Sequence, residues 1–266
     1  MCWDISLATD VESIKKQFPN IKDHRDKKDY DFSWLENVQA ITFPDYPIIF
    51  KEKESDDLGL INMEWGVLPT YIKDPKDQEE RRRNMINVRS ERILEDRSSY
   101  WHRLRNQRCL IPVTGIYEHR KVKGWSKKVP YHIGEESRDM FYIPGIYQWH
   151  ESFDINGNPK QVGSFGMLTR SANNLMSMIH NDGPNKHRMP LFLPEVLEQF
   201  WLGELTDEEL AQVVSYEIPD DMLTAHPVYT LRGYPERPDG KRRYEEFDWN
   251  ELPPLGHDSL NILSLF

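Results

Sequence analysis

An α+β fold in a single domain is what the sequence predicts, and three observations predict it. Short apolar segments of strand character recur through most of the chain. Helical patterns are inserted between them, and no strand–helix–strand rhythm of the kind a parallel sheet needs is present. At 266 residues the chain is long enough to bury a substantial core as one domain with elaborations.

The elements follow in order. VQAITFPDYPIIF reads as strand, turn and strand, with Pro44 and Pro47 at the bend. NMEWGVLPTYI reads as another strand that runs into a loop at Pro69. Ser90 is placed to cap a helix through SERILEDRSSYWHRLRNQR. Short strands come next in CLIPVTGIYEHR, KVPYHIG, MFYIPGIYQWH and QVGSFGMLTR, and Asn156-Gly157 supplies a hairpin turn between the last two. NNLMSMIH is a short helix and RMPLFLP a buried strand. PEVLEQFWLG and TDEELAQVVSY are helices, the second opened by Thr206 and Glu209 as a capping box. LTAHPVYTLRG closes with a strand. Beyond about Pro235 the chain is polar and Pro-bearing, then apolar at NILSLF, so residues 1–235 form the expected domain and 236–266 a tail packed on it or trailing it.

Composition excludes several classes. A mean hydropathy of -0.73 suits a water-soluble protein, and no apolar run approaches the roughly 20 residues of a membrane span. The N-terminus has neither a basic nor an apolar signal region, so a cytoplasmic setting is expected. Two cysteines, Cys2 and Cys109, make neither a disulfide framework nor a metal cluster. No glycine-rich nucleotide signature is present, so no cofactor is expected. The net charge of -10 argues against general nucleic-acid binding. Locally the sign reverses: nine arginines stand between Arg81 and Arg108 against Glu91, Glu95 and Asp96. That stretch reads either as a solvated helix face with i,i+4 pairs or as the wall of a phosphate-facing groove.

Among residues able to carry chemistry, Cys2 has three readings: a nucleophile, a surface thiol or a small buried hydrophobe. Glu118 ends an apolar stretch, where burial raises a carboxyl pKa and lets it move protons; it also reads as an ordinary strand-end glutamate. Asn87 and Arg89, in INVRSER, can orient a substrate or tie down a loop. His180 and His187 flank the loop NDGPNK, and neither is singled out by spacing. Cys109 lies in an apolar strand and reads as core.

In order along the chain, MC at the start, WGVLP, NVRSE, RCLIPVTGIYE and IH…RMPLFL form a pattern that resembles the SRAP family (SOS-response-associated peptidase) from Met1 to about Arg232. The resemblance implies an α+β domain with a β-barrel-like antiparallel core and a positively charged groove ending at Cys2. It implies shielding of abasic sites in single-stranded DNA. No metal, membrane or nucleotide cofactor is expected, and the protein is expected to be a monomer. Removal of Met1 would leave Cys2 with a free α-amine and a thiol. The amine forms a Schiff base with the ring-opened sugar aldehyde, and the thiol closes it to a thiazolidine, a chemistry only an N-terminal cysteine offers.

Carried over, the nucleophile falls on Cys2, the active-site asparagine on Asn87 and the acidic residue on Glu118. The histidine falls on His180, which keeps the IH pair, with His187 as the alternative. Arg89 and Arg188 fall on phosphate-contacting positions, and Trp65 and Pro44 on positions that wedge or stack beside bases. The pattern is broken where relatives read MCGR, since Asp4 replaces the arginine, and where GFYEW reads GIYEH. Two other activities fit the same residues: an N-terminal-cysteine peptidase or amidohydrolase acting on other substrates, and a non-catalytic single-stranded DNA-binding module.

Overall fold

The computed structural model describes residues 2–25, 35–53, 55–153, 156–233 and 236–257. Within them the chain runs through β1 (Asp4–Leu7), α1 (Val11–Gln17), β2 (Lys22–Asp23), β3 (Leu35–Gln39), β4 (Asp45–Lys51) and β5 (Leu58–Trp65). It continues with α2 (Pro75–Arg82), β6 (Asn87–Arg89), α3 (Glu91–Leu94), α4 (Tyr100–Arg103), β7 (Arg108–Val113), β8 (Gly115–Arg120) and β9 (Val129–Glu135). Then come β10 (Phe141–Phe153), β11 (Pro159–Ser171), α5 (Asn174–Ile179), β12 (Arg188–Pro190), α6 (Glu195–Trp201), α7 (Asp207–Ser215) and β13 (Leu223–Pro227). The fold is α+β, as the sequence predicts.

Five strands close on themselves. β5, β4, β7, β10 and β11 pair in that order, and a short parallel contact, Ser164↔Glu64 and Phe165↔Trp65, returns β11 to β5. Closure removes the open edges that invite association. A Cβ on Gly163 would lie 2.5 Å from the Met63 side chain, so only glycine lets the two strands approach here. The barrel is filled by side chains such as Trp65, Phe165 and Tyr46, all buried, with the Trp65 and Phe165 rings stacked at 6.0 Å. Alternation along β5 sends Trp65 inward, where its indole N–H donates to the Ile86 carbonyl at 3.1 Å.

A second, five-stranded sheet has the order β13-β9-β8-β1-β3. The chain passes from the barrel to this sheet between β7 and β8, at Thr114, whose hydroxyl accepts from the Ala8 amide and donates to Ser6. The joint between barrel and sheet therefore lies against the start of the chain.

The expected helix through residues 90–108 is two short helices, α3 and α4. Local polar side chains explain the break. Ser98 donates to the Asp96 carboxylate at 2.6 Å, the Ser99 amide donates to the Asp96 carbonyl, and the Ser99 hydroxyl caps α4 by accepting from the Trp101 amide. These bonds satisfy the backbone outside a helix. RMPLFLP is strand only over Arg188–Pro190; the buried Leu191–Leu193 that follow are irregular. The apolar NILSLF lies outside the described residues.

Residues 236–257 lie on the five-stranded sheet. The Trp249 indole donates to the Val228 carbonyl at 2.9 Å, and the fully buried Arg120 guanidinium donates to the Pro253 and Pro254 carbonyls at 2.8 and 2.7 Å. Truncation after Asp248 leaves that charge buried without these acceptors. Loss of about 3 kcal/mol or more of unfolding free energy is expected by denaturant titration. Introducing Arg120→Met into the shortened chain should recover most of it.

Candidate functional site at the start of the chain

β1 carries the chain start into the joint between barrel and sheet. It pairs with β3 through Asp4↔Gln39 and with β8 through Asp4↔Tyr117, so the residue before it has little freedom. Cys2 is buried, and its thiol donates to the Asp4 carbonyl at 3.4 Å. From the barrel side, Asn87 on β6 donates its side-chain N–H to the Cys2 carbonyl at 2.9 Å. β6 is held by parallel pairing with β11, Asn87 opposite Met167.

Glu118, near the end of β8, and His180, at the end of α5, complete the group. His180 Nδ1 is 3.8 Å from Glu118 Oε1 and 2.7 Å from the Arg188 carbonyl. A carbonyl only accepts, so Nδ1 carries the proton and Nε2 is the basic nitrogen of the neutral ring. Burial pushes the His180 pKa down to about 4 and the Glu118 pKa up to about 7; the positive charge of the chain's α-amine opposes the rise of Glu118. The pair is therefore not a settled ion pair at neutral pH. Burial also raises the Cys2 thiol well above its ordinary value, and the Glu118 and Asp4 charges add to the rise.

Two acceptors in this group, Asn87 Oδ1 and Glu118 Oε1, are buried with no hydrogen-bond partner among the described residues. Leaving such an atom unpaired costs about 1–3 kcal/mol. Both belong to residues whose other contacts point at the chain start. The arrangement is short of a hydrogen-bond donor at that place.

A cleft of about 360 Å³ opens onto the group. Trp3, Asp4, Glu118, His119 and His180 line it, with Lys128, Arg232 and the loop Asp182–Asn185 at its rim. Asn181 exchanges two hydrogen bonds with the Lys121 backbone, and Asp182 pairs with Lys128 at 2.9 Å, so the loop is fastened over β8–β9.

Cys2, Asn87, Glu118 and His180 thus converge. His187 does not join them: it is exposed, adopts a positive φ of 59°, and its amide closes the loop by donating to the His180 carbonyl at 2.8 Å. Arg89 is exposed on β6, two residues from Asn87, and donates to the Asn185 side chain at 3.1 Å. Arg188 is half-buried and paired with Glu91, donating also to the Thr169 carbonyl at 2.8 Å. Pro44 is half-buried in the turn before β4. Trp65 departs from its expected role, because a ring enclosed in the barrel is not available to stack on bases.

The arginine-rich stretch also divides. Arg82 and Arg108 are buried; Arg82 donates to the Gly66 carbonyl at 2.7 Å and Arg108 to the Trp201 carbonyl at 2.8 Å. Arg83–Glu79 and Arg92–Asp96 are i,i+4 pairs. Arg81, Arg89, Arg97 and Arg103 are exposed. Sequence reasoning missed Trp3 and the pairing of Asp4 with Arg232, 3.1 Å apart. An acid at a position where an arginine is usual was the one local signal that a distant cation would be needed. Among the described residues no group of three His, Cys, Asp or Glu is placed to hold a metal ion, and no helix is long and apolar enough to cross a membrane.

Residues 1–233 match the family described as SOS response associated peptidase, SRAP. The chain belongs to the SRAP family. It is 28% identical over 238 residues to the abasic site processing protein YoqW of Bacillus subtilis (strain 168), covering 89% of this chain and 96% of that one. To the abasic site processing protein HMCES of Mus musculus it is 25% identical over 205 residues, covering 67% of this chain and 54% of the mouse protein. A crystal structure of a protein from Bacteroides thetaiotaomicron shares the SRAP chain's fold with a TM-score of 0.74 at 26% identity, covering 92% of this chain and 100% of that one. A second, from Bordetella bronchiseptica, superposes with a TM-score of 0.66 at 21% identity over 86% of this chain and 100% of that one.

Glu118 has a measurable cost in this SRAP domain. In the folded state its carboxyl holds a proton up to about pH 7, whereas its ordinary pKa is 4.5. The folded chain therefore binds more protons between these values, and stability falls as pH rises through the window. Glu118→Gln should match the unmutated protein near pH 4 and exceed it by roughly 3 kcal/mol at pH 8, read by urea unfolding at both pH values.

Proposed function

We propose that the protein processes abasic sites in single-stranded DNA by forming a covalent bond through Cys2, once Met1 has been removed. The observation that carries the reading is the pair of unpartnered buried acceptors, Asn87 Oδ1 and Glu118 Oε1, beside a cysteine whose carbonyl Asn87 already holds. The α-amine of a terminal Cys2 is the donor that such a place lacks. The names of the relatives supply the substrate class.

The order of steps follows from the protonation states. Glu118, with a pKa of about 7, takes a proton from the α-ammonium near neutrality. The amine then attacks C1′ of the ring-opened sugar and, with loss of water, a C=N bond forms. The thiol is protonated at this pH because burial disfavours the thiolate. It adds across the C=N bond, sulfur to carbon and hydrogen to nitrogen, and closes the five-membered ring without releasing a charge into the cleft. His180, neutral and with Nε2 as its basic nitrogen, is placed to exchange a proton with the sugar oxygen during ring opening. Arg89 and Arg188 serve the phosphates, the latter by exchanging Glu91 for the strand, and Pro44 lies against a base. The same geometry would let Glu118 assist cleavage of the Met1–Cys2 peptide.

Intact mass of the purified protein should show loss of Met1, and incubation with an abasic oligonucleotide should add the mass of the strand less one water. Cys2→Ala abolishes the heat-stable adduct, and Cys2→Ser leaves at most a borohydride-trappable one. Retention of Met1 on nearly all of the protein, or a stable adduct in Cys2→Ala, would overturn the reading. Turnover of unrelated peptides without an adduct would favour the peptidase instead.

The single-turnover rate of adduct formation should rise with pH to a plateau with an inflection near 7. Glu118→Gln should lose that inflection and about 10²–10⁴ in rate. His180→Ala should be slowed far more than His187→Ala, which has no side chain in the cleft.

A further inference from the structure

Asp4 occupies an unfavourable place for a carboxylate. It is 2% exposed on the central part of the five-stranded sheet, one residue from the buried chain start, and burial raises its pKa. Its partners come from two directions. Asn37 on β3 donates to Oδ1 at 3.4 Å, and Arg232, from the segment after β13, donates to Oδ2 at 3.1 Å. Leu231, the neighbour of Arg232, is buried with Val228 and Tyr117, which fixes the root of the arginine side chain. Its head is not covered: 54% of the side chain is exposed, at the rim of the cleft that holds Glu118 and His180.

Arginine offers five N–H donors in a rigid plane. One nitrogen of Arg232 is engaged by Asp4, and no other partner is present among the described residues. The other cation at this rim, Lys128, is paired with Asp182. His119 and His180 are neutral, their pKa values lowered to about 4 chiefly by burial, so neither competes for an anion. Arg232 is thus held through one nitrogen by an internal carboxylate, while its side chain lines the cleft and is more than half exposed. A planar guanidinium fork suits the oxygens of a phosphodiester.

We propose that Arg232 is a phosphate anchor for the strand beside the reacting sugar, with Asp4 as the internal tether that aims it. This rests on the DNA-processing reading above. The competing explanation is that the pair only fastens the segment after β13 to β1.

The test uses a single-stranded oligonucleotide with one tetrahydrofuran abasic analogue, which has no aldehyde and reports binding without the covalent step. Affinity is measured by fluorescence anisotropy across a salt series. Arg232→Ala should weaken binding about tenfold and reduce the slope of log affinity against log salt by about 0.7, the value for one single-strand phosphate contact. Arg232→Lys should keep the slope and recover part of the affinity, since it keeps the charge but loses the fork.

Because Arg232→Ala leaves Asp4 buried and unpaired, Asp4→Asn/Arg232→Ala is measured against Asp4→Asn. The same loss of affinity and slope is expected in a background without the carboxylate. Unchanged affinity and slope in both comparisons would overturn the proposal, as would a loss of thermal stability with binding intact. Failure of the unmutated protein to bind the analogue in a salt-dependent way would overturn it as well. Absence of an adduct with a true abasic site, while the analogue binds as described, would instead sink the covalent reading and leave the anchor standing.

Discussion

The hydrogen bond from Asn87 to the Cys2 carbonyl ties the barrel to the smaller sheet at the residue around which the site is built. Asn87 belongs to the barrel through β6 and β11, and Cys2 to the smaller sheet through β1. β1 is paired on both sides, with β3 and β8, but Cys2 lies before that pairing, and this bond occupies its carbonyl. With it, the chain start is held at the seam, and the side chains that surround it arrive from both bodies. Glu118 comes from the sheet, and His180 comes from the helix that follows the barrel's last strand. The cleft is a consequence of that seam.

Cys2, Glu118 and His180 are all buried at that seam, and burial decides their protonation states. Glu118 and His180 are 3.8 Å apart, yet burial drives their pKa values in the direction that leaves both neutral. Surface groups at that distance would ionise as a pair; here the desolvation of two charges outweighs their attraction. The result is an acid that gives up its proton near neutral pH and a base that is not already protonated. The Cys2 thiol is suppressed as an anion by the same burial. One environment thus sets three protonation states.

Much of this was legible in the residues. The capping box of Thr206 and Glu209 is present and KVPYHIG is a strand, while CLIPVTGIYEHR is divided at Thr114 into two strands, β7 in the barrel and β8 in the sheet. The signals that read correctly are local, a cap three residues from its partner or a short apolar run. Cys2, Asn87, Glu118 and His180 were legible as a set only through their order in the family pattern, since nothing in their spacing brings them together. What was not legible depends on pairings distant in the chain. Trp65 reads as a surface aromatic until β11 is known to return to β5 and enclose it. Arg82 and Arg108 read as free cations until the carbonyls they meet, Gly66 and Trp201, are placed. Arg120 and Asp4 find their partners at the far end of the sequence.

The strand order β13-β9-β8-β1-β3 sets the time at which the surroundings of Cys2 are complete. β1 lies close to β3 in the chain and meets it early, but its other neighbour, β8, is made only from residue 115 onward, and His180 later still. Arg232 reaches Asp4 across 228 residues, and the acceptors of Arg120 follow after that. A chain in synthesis therefore contains Cys2 well before the carboxylate, the imidazole and the cleft that surround it. Contacts of such high sequence separation form slowly. The group around Cys2 is in this way assembled late, by completion of the fold itself.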